Sequence, residues 1–333
     1  MSLLLNWEQR TSVTIGFLLL MWQPSLAQPA TSKLQFSGNP PAELLSSRSV
    51  VLYDPVYGQK ELEEIQKSFK QTGIDPIAYF ERDVVQSGND VMKAFSEYFN
   101  TRQIKYLVIL EKYDATFRLI VTAYDQTVNL FAPGQPAWLV SAERLSDLLR
   151  TAWQDSWRSQ KKQNYLINEF PERDIVVDPF TGNRQEFYAI DLKVDNLAVP
   201  RFGNEAMDKE LEQFFKDNYP LKYKIVDAGT DEKLLRSQGF LYTLCFVHTR
   251  GVAAKEILGY DMSKSENAYA VITFPNGQLQ LKILPKETIV YKFYFRHIDN
   301  GNVFMGTKWD ADVLWLDALR NHILGFKLEA KIN

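Results

Sequence analysis

Two Asn-Gly steps sit inside an apolar, alternating stretch near the C-terminus, and they constrain this chain more than any other feature. Residues 268–308 read as four strands, 268–274, 278–284, 287–298 and 302–308, joined at Pro275-Asn276-Gly277 and Asp299-Asn300-Gly301. Asn-Gly enters the positive-φ region at little cost, so each step predicts a tight hairpin turn. Leu279, Leu281 and Ile283 alternate with Gln278, Gln280 and Lys282, and Ile289, Tyr291, Phe293 and Phe295 alternate along the next strand. Period-2 alternation predicts one buried and one less buried face, with Lys292 on the open side. The helical pattern at 309–326 is expected to cover the buried face.

The rest of the chain reads as a pattern that occurs twice. In the first half, apolar strands at 49–53, 77–85 and 105–112 alternate with helices carrying Leu62, Ile65 and Phe69, then Val91, Phe95, Tyr98 and Phe99. Strands at 116–124 and 126–131 follow, then a helix capped by Ser141 and carrying Leu145, Leu148, Leu149, Ala152 and Trp153. The order is β-α-β-α-β-β-β-α. It recurs from Asn196, with Met207, Leu211, Phe214 and Phe215 on a helix face and an insertion near 251–266. The expected fold class is α/β (α+β). Two tandem α/β domains at 48–160 and 196–333 would each hold a mixed, largely antiparallel sheet covered by helices. Residues 161–195 are polar and read as a linker, with 28–47 a flexible lead-in.

A length of 333 residues suits two domains. The net charge of −3, with both signs mixed, argues against a nucleic-acid partner. Residues 1–27 read as a signal peptide: Arg10, the apolar run 13–22, then Ser25-Leu26-Ala27, which fits the small-x-small cleavage rule. That run is shorter than the roughly 20 residues that span a bilayer, although a retained anchor is the alternative. No later stretch reads as a transmembrane helix. A single cysteine, Cys245, excludes an intramolecular disulfide. The expected location is periplasmic or secreted.

The second half opens Asn196-Leu197-Ala198-Val199-Pro200-Arg201-Phe202-Gly203-Asn204. A short apolar strand, Pro and Phe, a polar residue and then a helix resembles the N-terminal α/β domain of TolB and the related CsgG-like domains, except that Arg201 separates Pro200 from Phe202. The resemblance covers about 48–160 and 196–327 and implies a role in envelope binding or assembly. No catalytic residue carries over from it.

Candidate chemistry is sparse. Cys245 and His248 stand three apart in a strand, so they point to opposite faces and make no dyad. His297 and His322 share no metal-ligand spacing with His248. Asp310 and Asp312 precede the last helix and read as capping and dipole-compensating residues. Asp54-Pro55-x-x-Gly58 and Asp178-Pro179-x-x-Gly182 share a turn spacing. No phosphate-binding glycine loop, dinucleotide fingerprint or nucleophile elbow occurs. No catalytic, cofactor-binding or metal residue can be assigned. The sequence therefore points to a non-enzymatic module that binds an envelope protein partner. The alternative is a periplasmic hydrolase or small-ligand binder using a cleft between the domains.

Overall fold

Apolar strands without strict alternation must be covered on both faces, and the first half shows how this is done. A computed structural model describes residues 30–332, apart from 114, 160–163, 165–166 and 174. The signal-peptide reading at 1–27 lies outside the described residues. In chain order the first half contains β1 (Gln35–Ser37), β2 (Arg48–Tyr53), α1 (Gln59–Thr72), β3 (Asp75–Glu81) and α2 (Arg82–Val85). It continues with α3 (Asn89–Thr101), β4 (Tyr106–Tyr113), β5 (Thr116–Ala123), β6 (Pro136–Ala142) and α4 (Leu145–Ser159). The strands form one sheet in the order β1-β6-β5-β4-β2-β3. Leu107 to Leu110 of β4 are buried in succession, as a central strand requires. Leu62, Ile65 and Phe69 of α1 and Leu148 and Ala152 of α4 cover one face; Val91, Phe95 and Phe99 of α3 cover the other.

The second half contains β7 (Arg184–Gln185), β8 (Asn196–Pro200), α5 (Glu205–Asn218), β9 (Tyr223–Val226), α6 (Glu232–Ser237), β10 (Phe240–Arg250) and α7 (Gly251–Ile257). It ends with β11 (Ala268–Thr273), β12 (Gln280–Pro285), β13 (Ile289–His297), β14 (Val303–Phe304) and α8 (Trp315–Ala330). Its main sheet runs β7-β14-β13-β10-β8-β9. Position for position this is the order of the first sheet, and the strand senses agree. β2 is parallel to β3 and β4, as β8 is to β9 and β10. β4, β5 and β6 are antiparallel in turn, as are β10, β13 and β14. Even the edge matches, with β1 parallel to β6 and β7 parallel to β14. The sheets are mixed, as expected: each has parallel pairings from helix crossovers and a parallel edge strand, while its longest ladder is antiparallel, β4 with β5 and β10 with β13.

Several local expectations need correction. Residues 126–131 are not a strand. The third antiparallel strand is β6, which starts at Pro136, the strand position that tolerates proline best. Trp153 is not inward but 42% exposed, and it stacks on Trp157 at 6.1 Å. The meander is also divided. β13 and β14 belong to the main sheet, whereas β11 and β12 pair only with each other and project as an arm from the insertion.

The two halves share a hydrophobic core. One cluster joins Val50, Ile109 and Phe95 of the first half to Val247, Val290 and Tyr294 of the second. Residues 161–195, expected as a linker with a hairpin of its own, contribute to this core. Ile175, Val177 and Phe180 pack against it, Glu172 bridges to Ala78, and β7 extends the second sheet. Polar contacts reinforce the seam: the His248 amide donates to the Ser87 carbonyl at 2.6 Å, and Tyr294 donates to Asp90 Oδ2 at 2.7 Å.

Candidate functional site

Parallel strands place their C-terminal ends on one edge of a sheet, and connections leaving in opposite directions open a crevice there. At that edge β2 ends beside Asp54, β3 at Glu81 and β4 near Glu111. The C-terminal end of β10 brings Arg250 to the same place from the second half. The result is a cleft of about 370 Å³ lined by Asp54, Arg82, Asp83, Arg250, Glu287 and Ile289.

The charges of this cleft are paired with one another. Arg82 bridges Asp54 at 2.6 Å and also pairs with Glu111, which is almost fully buried. Glu111 in turn meets Arg118 at 3.3 Å and accepts from Thr31 Oγ1 at 2.5 Å. Arg250 reaches three carboxylates: Asp83 at 2.7 Å, Glu287 at 3.2 Å, and Glu81. Burial raises the pKa of Asp54, offset in part by Arg82, and raises that of Glu81, offset in part by Arg250. Such carboxylates suit acid–base work, but each is already engaged by a guanidinium. A ligand entering here must compete with charge-assisted hydrogen bonds.

The residues singled out by sequence are dispersed. Cys245 and His248 lie on opposite faces of β10: Cys245 packs in the shared core, while His248 stacks on Tyr291 at 3.8 Å. Burial and the neighbouring Asp90 push the Cys245 thiol well up, away from thiolate reactivity. His297 packs edge-on against Tyr242 at 4.9 Å. Among the described residues, no group of His, Cys, Asp and Glu has the makings of a metal site.

Asp310 and Asp312 do not cap the last helix. α8 begins at Trp315, and its N-cap residue, Leu314, makes no side-chain cap. Asp310 is buried and forms an ion pair with Lys292 Nζ at 2.6 Å, while its other oxygen meets His322 Nδ1 at 3.0 Å and the Tyr188 hydroxyl at 3.3 Å. Asp312 pairs with Lys282 at 2.6 Å. The two Asp-Pro turns also part company. Asp54 holds Arg82 and the Lys112 amide, whereas Asp178 accepts within its own loop, from the Phe180 amide at 2.9 Å.

Sequence reasoning missed Arg82, Arg250 and Glu111. Their signal is faint: charged residues just beyond or at the end of apolar strands, far apart in the chain.

The arm carries a second feature. Residues directly opposite in an antiparallel pair share a face. Ala270 and Ile272 therefore lie with Ile283 and Leu281 on one face, while Tyr269 and Val271 lie with Leu284 and Lys282 on the other. Tyr269, Val271 and Leu284 pack inward. Leu279, Leu281 and Ile283, expected to be buried, are 60%, 69% and 68% exposed. Alternation identified the two faces correctly but could not say which one the body covers.

Among the described residues no helix is long and apolar enough to cross a membrane. No family model, curated protein or solved structure matches the chain.

Proposed function

We propose that this chain is an exported cell-envelope protein acting as a non-enzymatic binding and assembly module, and that it engages a protein partner through the β11–β12 arm. The observation that carries the reading is the exposed apolar row of Leu281 and Ile283 on β12, continued by Leu279 just before it; among the described residues β12 has one neighbour. Unpaired edges with apolar side chains invite a further strand. The arrangement of the cleft supports the non-enzymatic part, since its arginines and carboxylates neutralise one another.

The test is capture from envelope extracts with the wild-type chain and with Leu281→Lys/Ile283→Lys. A stoichiometric protein partner lost in the double variant is the expected result; equal capture by both overturns the reading. Export is tested by N-terminal sequencing of the mature protein, expected to begin at Gln28. A start at Met1 in the membrane fraction assigns the leader as an anchor.

A second reading, a small ligand or hydrolysable substrate held in the cleft, draws support from the raised pKa values of Asp54 and Glu81. Arg250→Met would then abolish ligand-induced stabilisation while leaving the arm intact.

A further inference from the structure

We infer that the open edge of β12 pairs with β12 of a second copy of this chain, in antiparallel sense, to make a four-stranded sheet across a two-fold axis. This rests on the reading that the arm is a binding surface, and it names the partner.

The backbone directs the first step. The Ile272 amide donates to the Trp309 carbonyl at 2.8 Å, so it points away from β12. Ile272 and its opposite, Leu281, are therefore a non-hydrogen-bonded pair, and both turn their backbone groups outward. The alternation of the ladder extends this to Ile283, and Leu279, one residue before the last ladder pair Thr273–Gln280, continues the same alternation. The residues that present free N–H and C=O groups on the β12 edge are the same ones whose apolar side chains stand exposed. Among the described residues, β12 has no neighbour on that side.

Side-chain chemistry then selects the register. Outward-pointing residues must meet outward-pointing residues, which leaves three central registers. Pairing centred on Lys282 sets Leu279 against Pro285, which has no N–H to give the new ladder, and is disfavoured. Pairing centred on Gln280 leaves Ile283 opposite Gly277, without an apolar partner. Pairing centred on Leu281 sets Leu281 against itself, Leu279 against Ile283, and Gln280 against Lys282. Every apolar residue then has an apolar partner, and each lysine faces an amide. The contact is isologous, so it closes at two copies. The inward faces of both arms stay on their own bodies, with Lys282 held by Asp312.

The test is the solution mass of the full chain by light scattering over a concentration series. A dimer is expected for the wild type, with Leu281→Lys weakening it by roughly tenfold or more, since it opposes two charges on the axis. Residue 281 is well exposed, so the folded monomer is expected to survive the change, as its melting temperature will show. In a Cys245→Ala background, Leu281→Cys is expected to oxidise to a covalent dimer. The two Cα atoms would lie about 5.5 Å apart, within disulfide range. Leu279→Cys is expected not to do so, because its copies would sit about 14 Å apart. A wild type that stays monomeric throughout, a dimer indifferent to Leu281→Lys, or cross-linking by Leu279→Cys in preference to Leu281→Cys overturns the inference. A monomer that still captures an envelope protein through Leu281 overturns self-pairing alone; a monomer that captures nothing through the arm overturns the binding reading as well.

Discussion

Lys292 shows how much one residue can reverse. Alternation along β13 puts it on the face opposite Phe293, which is correct, yet its solvent exposure is 0%. β13 is covered on both sides, with Phe293 and Phe295 in one cluster and Val290 and Tyr294 in another. The ammonium meets Asp310 and donates to the carbonyls of Met305 at 2.7 Å and Phe293 at 3.0 Å. Lys292→Ala, which an exposed position would tolerate, is therefore expected to cost about 3–5 kcal/mol, because it strands a buried carboxylate. Lys292→Met/Asp310→Leu is expected to recover much of that loss, as replacing a buried pair with apolar groups commonly does. Urea titration of the cycle checks both. His322 belongs to the same network, faced by Tyr188, Asp310 and Lys292. Burial first, and then Lys292, lower its pKa below the ordinary 6.5. The folded state therefore binds fewer protons than the unfolded state once pH falls below about 6.5, and stability declines there as pH falls. His322→Gln is expected to flatten that decline, by at most about 1.4 kcal/mol per pH unit, in melts across pH 7 to 5.

At the scale of elements, turns were the most legible feature. Gly277 adopts φ +76° and Asn276 φ +53°, as an Asn-Gly hairpin step requires. A Cβ at Gly277 meets nothing within 4 Å, so Gly277→Val tests backbone strain alone. The expected cost is on the order of 1–3 kcal/mol, confined to the arm. Amide exchange of β11 and β12 is expected to rise while that of β13 is unchanged. Helix α5 was legible for a similar reason: Asn204 accepts from the Ala206 and Met207 amides at 3.1 Å. Where the sequence misled, tertiary context decided. Alternation cannot distinguish a hairpin that joins the main sheet from one that leaves it, since both read as apolar and polar by turns. Nor can it detect a buried lysine, because what makes Lys292 tolerable is Asp310, eighteen residues on. The cleft was least legible. Asp54, Arg82, Glu111 and Arg250 come together only once parallel strands align their ends.

The doubled topology raises a question of cooperativity for the whole molecule. Two units with separate cores would unfold in two steps, whereas here the seam is continuous. The stretch from Glu81 to Asp90 docks along β10 and β13, through Arg250 with Glu81 and Asp83 and through Tyr294 and Arg296 with Asp90. Toward its end Gly88 passes so close to β10 that a Cβ would overlap the Phe246 carbonyl oxygen. Its φ of 168° is extended and open to any residue, so the need for glycine there is one of space. The intact chain is expected to unfold in a single calorimetric transition. Gly88→Val must push β10 away from the α2–α3 junction, shifting two backbones that neither side can move cheaply. A rigid backbone clash belongs with overpacking, typically about 1–3 kcal/mol. If the halves are one cooperative unit, this variant lowers the melting temperature of the whole transition. If they are independent, it splits the transition instead: each half retains its own sheet and outer helices, and one component melts where the wild type did. Trypsin gives the same distinction by another route. Arg173 lies over the Tyr79 ring at 5.4 Å, so cleavage there is expected to be slow in the native wild type and faster in Gly88→Val.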